Sequence, residues 1–175
     1  MPQCDNPFWR FSLAVYAAPG VASECLALQD TQGVDVNVLL FCAWLGSRRI
    51  VLTQDDLATI ESAVRSWREA VIRPIRAVRR DIKTRPDAGQ DEIAALRKDV
   101  AALELRAEQI EQAMLYAMAA DLTESTITAE IATRQNISLL LNRQGTASAA
   151  PTERLIVAAL AQDPPVNRGE TRVCA

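Results

Sequence analysis

The most apolar stretch of the chain runs from Val36 to Leu45, where Asn37 is the one strongly polar residue. A helix made of these residues is apolar on every side, so it has to lie in the middle of the protein. Two polar signals precede it. Gly33 suits the left-handed residue that ends a helix, and Asp35 suits the side chain that caps the next one. The pattern therefore predicts a helix that ends at Gly33, a tight turn, and then a buried helix.

Other helix signals surround this segment. Asn6 followed by Pro7 is typical of a helix start, because the first is a capping residue and the second fits the first helical position. Asp30 falls near the negative end of the helix before the turn, where we expect an arginine partner. Gly46 and the residues after it indicate an exposed turn. Residues 7–50 are therefore predicted to form a small N-terminal helical bundle.

Apolar residues then recur at alternating steps of three and four along two long segments, which is the heptad pattern of paired helices. The first segment carries Leu57, Ile60, Val64, Trp67, Val71, Ile75 and Val78, and the second carries Ile93, Leu96, Val100, Leu103, Ala107, Ile110, Met114 and Ala117. Pro86 predicts a reversal between them, so residues 54–119 form a long antiparallel hairpin. In this register Trp67 lies opposite Ala107, Val78 meets Leu96, and the apolar ridges bury each other. Pro74 predicts a kink in the first arm.

The signals weaken in the last third of the chain. Thr123 or Ser125 is expected to cap a packing helix over residues 123–143. A linker, a short helix and a disordered tail are predicted over residues 146–175. The sequence thus predicts an all-α protein with a single helical domain over residues 1–145.

The composition narrows the functional classes. The 175-residue chain has no histidine and a formal net charge of -3. Without imidazole there is no Ser-His or Cys-His nucleophile and no His-ligated metal, so an enzymatic function is disfavoured. The four cysteines contain no Cys-x-x-Cys pair, and their spacing indicates neither a zinc site nor a disulfide framework. We predict no metal and no cofactor.

The sequence also bears on location. Its first residues lack the basic cluster and apolar core of a signal peptide. The longest apolar run is about half the length of a membrane-spanning helix. These features predict a cytoplasmic protein with no membrane contact.

A series of motifs in the first half of the chain is specific enough to suggest a family. These motifs are Phe8-Trp9-Arg10-Phe11-Ser12-Leu13, Val15-Tyr16, Pro19-Gly20-Val21, Leu28-Gln29-Asp30, Gly33, Asp35-Val36-Asn37, Leu39-Leu40-Phe41-Cys42-Ala43-Trp44, Trp67 and Pro74-Ile75-Arg76. With them, roughly residues 7 to 83 resemble an uncharacterised proteobacterial family of small conserved hypothetical proteins, a domain of unknown function. The resemblance implies a compact intracellular helical protein. It implies no activity, ligand or catalytic residue.

Six polar residues lie near the apolar core or the predicted kink and form the candidate ligand-binding set: Asp30, Asp35, Asn37, Arg73, Arg76 and Arg80. Two neighbouring carboxylates can hold Mg²⁺ or act as an acid–base pair, although helix capping is a sufficient role for Asp35. The amide of Asn37 is expected to bond a neighbouring backbone. Arg73 and Arg76 flank the kink and are expected to reach Asp30. That contact would create an ion-paired ligand pocket between the small bundle and the hairpin.

The segment 65–85 carries eight basic residues against two acidic ones. Such a stripe can bind the phosphates of a nucleic acid. The acidic positions of the second arm are expected to face it, however, because opposite charges commonly flank paired helices. Aromatic residues for base stacking are also missing from the segment apart from Trp67, so nucleic acid is a disfavoured partner.

Three functional hypotheses remain open. The first is a non-enzymatic cytoplasmic interaction or assembly protein that uses the hairpin to form a homo-oligomer or to bind a partner protein. The second is an anion- or phosphate-binding helical bundle, with or without Mg²⁺, that uses Asp30, Asp35, Asn37 and the arginines near Pro74. The third is weak nucleic-acid binding through the basic segment. A polar cavity beside Asp30 would favour the second hypothesis, and solid packing there would not.

Overall fold

The computed structural model describes residues 4–145 and 152–162. Every regular element within these residues is helical, which confirms the predicted all-α class. The helices are α1 (Pro7–Tyr16), α2 (Val21–Gln32), α3 (Val36–Ser47), α4 (Gln54–Trp67), α5 (Arg73–Thr84), α6 (Asp91–Met118), α7 (Ala129–Arg143) and α8 (Glu153–Leu160). A π-helical turn (Arg68–Ile72) joins α4 to α5, a 3-10 turn (Ala119–Asp121) follows α6, and an isolated bridge pairs Ile50 with Glu124. The predicted linker and disordered tail lie outside the described residues.

Helix α3 lies at the centre of the core, as its apolar sequence predicted. Every residue from Asn37 to Gly46 is buried. Asp35 caps the helix, because its Oδ1 accepts hydrogen bonds from the backbone N–H groups of Asn37 at 2.9 Å and Val38 at 3.3 Å. Gly33 ends α2 in the left-handed region, at φ 70°. The helix end at Gly33 and the cap at Asp35 therefore lie where the local sequence signals predict them.

An aromatic cluster holds α1 and α6 against α3. The rings of Phe8 and Phe41 meet edge to face with their centroids 5.1 Å apart. The Trp44 ring lies 5.5 Å from Phe8 and 5.7 Å from Tyr116. Each such pair is worth about 0.5–1.5 kcal/mol beyond the area it buries.

The most extensive packing partner of α3 is α7, a helix that only weak sequence signals predict. Gly46 lies inside α3 and not in the exposed turn that we predicted. A Cβ at this position would stand 2.3 Å from the Cα of Thr133, so the glycine permits a close approach of the two helices. The helix α7 is capped by Thr128, whose Oγ1 accepts from the N–H of Ile131 at 3.3 Å, and not by either predicted residue.

Replacing Gly46 with alanine is expected to lower the free energy of unfolding by about 1–3 kcal/mol, because the added methyl group forces α3 and α7 apart. Urea denaturation followed by circular dichroism measures this change. Gly89→Ala is the matched control, since nothing lies within 4 Å of the position of its added Cβ. Equal stability of the two variants would contradict the close helix packing.

Buried Asn136 of α7 fixes the segment that leaves α3. Its Nδ2 donates hydrogen bonds to the backbone carbonyl oxygens of Ile50 at 2.8 Å and Cys42 at 3.3 Å. Its Oδ1 accepts one from the N–H of Leu52 at 2.9 Å. One side chain therefore forms hydrogen bonds with three buried backbone groups. No local sequence signal predicts this role.

Helix α8, which follows the predicted domain end at residue 145, packs on α1, α2, α3 and α7. Leu155 and Ala159 are fully buried in the same core. The carboxylate of Glu24 accepts hydrogen bonds from the backbone N–H groups of Arg154 at 3.3 Å and Leu155 at 3.1 Å. A negative side chain is favourable there, because these N–H groups form the positive end of α8.

Helices α4, α5 and α6 form the predicted antiparallel hairpin. The chain reverses between Thr84 at the end of α5 and Asp91 at the start of α6. Nε1 of Trp67 donates a hydrogen bond to the backbone carbonyl oxygen of Ala107 at 3.0 Å, in agreement with the predicted register. The π-helical turn immediately before α5 widens the helix where Pro74 lacks an N–H group. Helical structure therefore continues through the proline.

The expected apolar seam of the hairpin is incomplete, and this part of the prediction was wrong. Val78 and Leu96, which we expected to bury each other, are 50% and 53% exposed, and Leu103 is 55% exposed. Buried instead are the carboxyl-bearing side chains Glu104 and Glu111 of α6. The heptad pattern misses them because arginines and an asparagine, not apolar residues, are their partners.

Within the part of the chain that the structure describes, no single helix combines the length and the apolar character needed to cross a membrane. Helices α1 and α2 meet those criteria only as a pair, across a bend of 97°. Both contribute residues to the buried core, among them Phe8 and Leu28.

Candidate functional site

A cleft of about 440 Å³ lies between the α2–α3 turn, the π-helical turn, α5 and α6. Its walls include all six residues of the candidate set: Asp30, Asp35, Asn37, Arg73, Arg76 and Arg80. Arg68, Asp81 and Glu111 also line it. The structure thus brings the six residues together around a polar cavity beside Asp30, in place of solid packing.

Asp35 joins the helix cap to the cleft. Its Oδ2 accepts a hydrogen bond from Nη1 of Arg68 at 2.8 Å, while its Oδ1 caps α3. The Asp35 side chain is 4% exposed and that of Arg68 is 21% exposed, so this ion pair is largely withdrawn from water. Nε of Arg68 is buried and has no hydrogen-bond partner among the described residues. The sequence does not single out Arg68, whose one signal is its place in the basic segment.

Asn37 bonds to two side chains of α6, and not to a neighbouring backbone as we expected. Its Nδ2 donates to Oε2 of Glu111 at 2.5 Å, and its Oδ1 accepts from Nε2 of Gln112 at 2.8 Å. All three residues are buried. The expectation failed because α6 turns a polar face toward α3, and its apolar heptad pattern does not identify that face.

Glu111 is a buried carboxyl group with incomplete hydrogen bonding. It is 1% exposed, and its Oε1 has no partner among the described residues. Burial and then the charge of Asp35 raise the pKa of Glu111 to about 8, against the opposing effects of Asn37 and Arg68. The group is therefore mostly protonated at neutral pH. Four arginines and three aspartates line the cleft with it.

Glu111→Gln is expected to change the pH dependence of stability. Because the folded-state pKa lies above the ordinary value of 4.5, the native state holds the proton more tightly than the unfolded chain. The free energy of unfolding of the wild type should therefore fall as pH rises between these two values, by up to ~1.4 kcal/mol per pH unit. The variant has no carboxyl group at this position, so its stability relative to the wild type should increase as pH rises over the same range.

Urea unfolding at about pH 5 and about pH 8 measures this difference. The charged groups that act on Glu111 are Asp35, Arg68 and Glu108, and all three are retained in the variant. Glu92→Gln, on the exposed first turn of α6, is the control and should follow the wild-type pH profile. Parallel profiles for Glu111→Gln and wild type would contradict the raised pKa.

Arg76 joins the two arms of the hairpin to each other and to α2. Its Nε donates to Oε1 of Glu104 at 2.8 Å and its Nη2 to Oε1 of Glu108 at 2.6 Å, while its Nη1 donates to Oε1 of Gln29 at 2.8 Å. Arg79 also bonds Glu104. Burial alone would raise the pKa of Glu104, but the hydrogen bonds from Arg79 and Arg76 outweigh it and lower that pKa. The basic arm therefore lies against the acidic arm, as predicted.

Two other arginines of the cleft are in exposed ion pairs. Nη2 of Arg80 lies 2.6 Å from Oδ1 of Asp30, and both side chains are 54% exposed. Arg80 is thus the partner of Asp30, and neither Arg73 nor Arg76 is. Nη1 of Arg73 lies 2.8 Å from Oε2 of Glu69, with the two side chains 56% and 43% exposed. Such exposed pairs contribute about 0–1 kcal/mol, so an incoming anion can replace the carboxylates at small cost.

Asp30 and Asp35 are not arranged as a pair of metal ligands, because each is bound to a different arginine. Over residues 4–145 and 152–162, no group of three or more His, Cys, Asp or Glu side chains could hold a metal ion. The positively charged groups that line the cleft are guanidinium groups, which carry their N–H donors in a planar fork.

The family model described as a protein of unknown function, DUF2390, matches residues 7–115. The chain belongs to the DUF2390 family. The matched segment contains α1 to α5 and most of α6, so every residue that lines the cleft falls within the DUF2390 domain. Helices α7 and α8, which complete the core, lie outside it. No curated protein and no solved structure matches the chain.

Proposed function

We propose that this DUF2390 protein is a non-catalytic receptor for a small anion that carries a phosphate or carboxylate group, bound in the arginine-lined cleft. The observation that carries the proposal is the composition of the cleft walls. Arginines from the π-helical turn and α5 line a cavity of about 440 Å³. The planar fork of a guanidinium group matches the geometry of carboxylate and phosphate oxygens.

The arginines have different roles in this proposal. Arg68 supplies a buried Nε donor that has no acceptor within the described residues. An unsatisfied buried donor costs about 1–3 kcal/mol, which an anion oxygen would recover. Arg73 and Arg80 supply donors by leaving their exposed ion pairs. Arg76 positions the hairpin beside the α2–α3 turn through its three hydrogen bonds.

A titration with inorganic phosphate, pyrophosphate and acetate at constant ionic strength, followed by ¹H–¹⁵N NMR, tests the proposal. We expect saturable shifts at the α2–α3 turn for at least one probe. The double variant Arg73→Gln/Arg80→Gln should weaken binding by about tenfold or more, because each charge-assisted hydrogen bond is worth about 1.5–3 kcal/mol. No saturable binding of any probe to the wild type would contradict the proposal.

Arg134→Gln is the matched control for this experiment. Arg134 is also an exposed, ion-paired arginine, but its partners Glu130 and Glu153 lie on α7 and α8. Its replacement should leave the affinity for each probe unchanged. An equal loss of affinity in this control would show that the anions bind by general charge attraction, and would overturn the proposed site.

A second candidate function, assembly through the hairpin, is supported by its incomplete apolar seam. Val78, Leu96 and Leu103 are each about half exposed along arms with heptad spacing, which favours a homo-oligomer in which a second copy covers them. Size-exclusion chromatography with light scattering should then give a dimer that Leu96→Glu/Leu103→Glu converts to a monomer. A wild-type monomer at high concentration would contradict this function.

Nucleic-acid binding is supported less well. Six arginines of the segment 65–85 contact carboxylates: Arg68, Arg73, Arg76, Arg79, Arg80 and Arg85. These pairs neutralise much of the charge that phosphates would meet. Any retention of the protein on heparin should therefore be weak and should be lost at modest salt.

The proposed location of this receptor is the cytoplasm.

A further inference from the structure

A second pocket, separate from the cleft, lies between α1, α2, α3, α5 and α6 and has a volume of about 230 Å³. Its apolar walls come from Trp9, Tyr16 and Leu40, together with three leucines on different helices. A cavity of about 150 Å³ is sufficient for a benzene molecule. The pocket can therefore hold one aromatic ring with several further atoms.

Three half-exposed leucines form the open side of this pocket. Leu13 of α1 is 48% exposed, Leu26 of α2 is 45% exposed, and Leu105 of α6 is 50% exposed. All three line the pocket. Single exposed leucines are ordinary on a protein surface, but three that converge on one cavity indicate a site for an apolar group.

The walls also contain polar groups that the protein leaves without a hydrogen bond. Ser12 and Gln112 line the pocket and are each 3% exposed. Ser12 Oγ and Gln112 Oε1 have no hydrogen-bond partner among the described residues. Each unpaired buried group costs about 1–3 kcal/mol. A bound molecule with an N–H or O–H donor would supply the partner that Gln112 lacks, and Ser12 can donate or accept.

The pocket and the arginine-lined cleft are neighbours with a shared wall. Gln29, Val36, Asn37 and Arg76 line both cavities. The hydrogen bond from Arg76 Nη1 to Gln29 Oε1 at 2.8 Å is part of this wall. A molecule seated in the pocket therefore reaches the cleft only where this hydrogen bond opens.

We propose that the second pocket is a binding subsite for a ring-sized apolar group with an N–H or O–H donor, and that this ring belongs to the same molecule as the anionic group bound in the cleft. The ligand class is thus an acid with a ring of this kind. The first part of the proposal rests on the second pocket alone. The second part rests on the proposed function of the cleft.

Three probes separate the parts of the proposal in isothermal titration calorimetry of the full chain: indole for the pocket, inorganic phosphate for the cleft, and indole-3-acetate for both. Indole should bind at one site, and indole-3-acetate should bind about tenfold more tightly or better. Arg73→Gln/Arg80→Gln should reduce the affinity for indole-3-acetate to that for indole, and leave the affinity for indole unchanged.

Leu105→Trp fills the open side of the pocket and should weaken indole binding by about tenfold or more. Leu96→Trp is the control, because Leu96 is on the same helix and 53% exposed but does not line the pocket. Indole that fails to bind, or binds equally to Leu105→Trp and wild type, overturns the subsite. Affinity for indole that falls as protein concentration rises shows a second copy in the pocket, and overturns it too.

The two proposals fail in different ways. Indole binding without phosphate binding would contradict the proposed function of the cleft and leave the subsite supported. Phosphate binding without indole binding would contradict the subsite and leave the proposed function of the cleft supported. If both bind but indole-3-acetate binds no more tightly than indole, the ring and the acid do not belong to one ligand.

Discussion

Replacing Arg68 with alanine is expected to lower the free energy of unfolding by about 3 kcal/mol. The substitution leaves Asp35, 4% exposed in the folded protein, without its cationic partner. Removing one member of a buried ion pair typically costs about 3–5 kcal/mol, because the remaining charge is uncompensated. We expect the lower end of that range, since Asp35 keeps the hydrogen bonds from Asn37 and Val38. Urea denaturation measures the loss.

A double-mutant cycle with Asp35→Asn isolates this interaction. Asparagine caps helices about as well as aspartate, so the single variant mainly removes the charge. In that background Arg68→Ala should cost at least about 1.5 kcal/mol less than in the wild type. Arg73→Ala is the control, because its pair with Glu69 is exposed and should be worth less than about 1 kcal/mol. Additive losses across the cycle would contradict the pair.

Asn136→Ala is expected to cost about 3–5 kcal/mol, the largest loss that we predict. The substitution removes the partners of two buried backbone groups, those of Ile50 and Leu52, and a second hydrogen bond to the carbonyl oxygen of Cys42, which lies inside α3. Each group left unsatisfied costs about 1–3 kcal/mol, and partial relaxation reduces the total. Thermal or urea unfolding followed by circular dichroism provides the measurement.

Asn142→Ala serves as the control for Asn136, because Asn142 lies on the same helix but is exposed. Exposed substitutions of this kind usually change stability by less than about 0.5 kcal/mol. A loss of less than about 1 kcal/mol for Asn136→Ala would mean that the segment after α3 does not depend on this side chain.

The features of the fold that the sequence predicted correctly are those encoded within a few residues. The caps Asn6 and Asp35 and the left-handed Gly33 mark helix ends because each acts on its own backbone. The apolar run of α3 predicts burial regardless of which helices pack against it. The Trp67–Ala107 contact followed from the reversal and from helical periodicity, which together set the register.

Features that depend on distant parts of the chain were missed. The prediction of a turn at Gly46 was wrong, because the close contact that requires glycine there is with Thr133, far along the sequence. Leu96 and Leu103 were assigned to a buried seam by spacing alone. Spacing cannot show that the arginines of α5 take Glu104 as a partner instead. Nothing near Asn136 in sequence distinguishes it from a surface asparagine.

In the candidate site, too, the locally encoded features were predicted and those that depend on distant contacts were missed. The six polar residues that the sequence indicates all line one cleft, since the α2–α3 turn and successive turns of α5 bring them to the same side. The sequence did not identify Arg68 or Glu111, because their importance comes from burial. The partner of Asp30 was also misassigned, since one further turn along α5 brings Arg80 to it and not Arg76.

The most direct test of the anion-binding cleft is a crystal structure of the protein grown with pyrophosphate. We predict pyrophosphate oxygens within hydrogen-bonding distance of Nε of Arg68 and of the guanidinium groups of Arg73 or Arg80, with Asp30 or Glu69 released from its pair. A cleft filled by the protein's own side chains, or pyrophosphate bound only elsewhere, would contradict the proposed function.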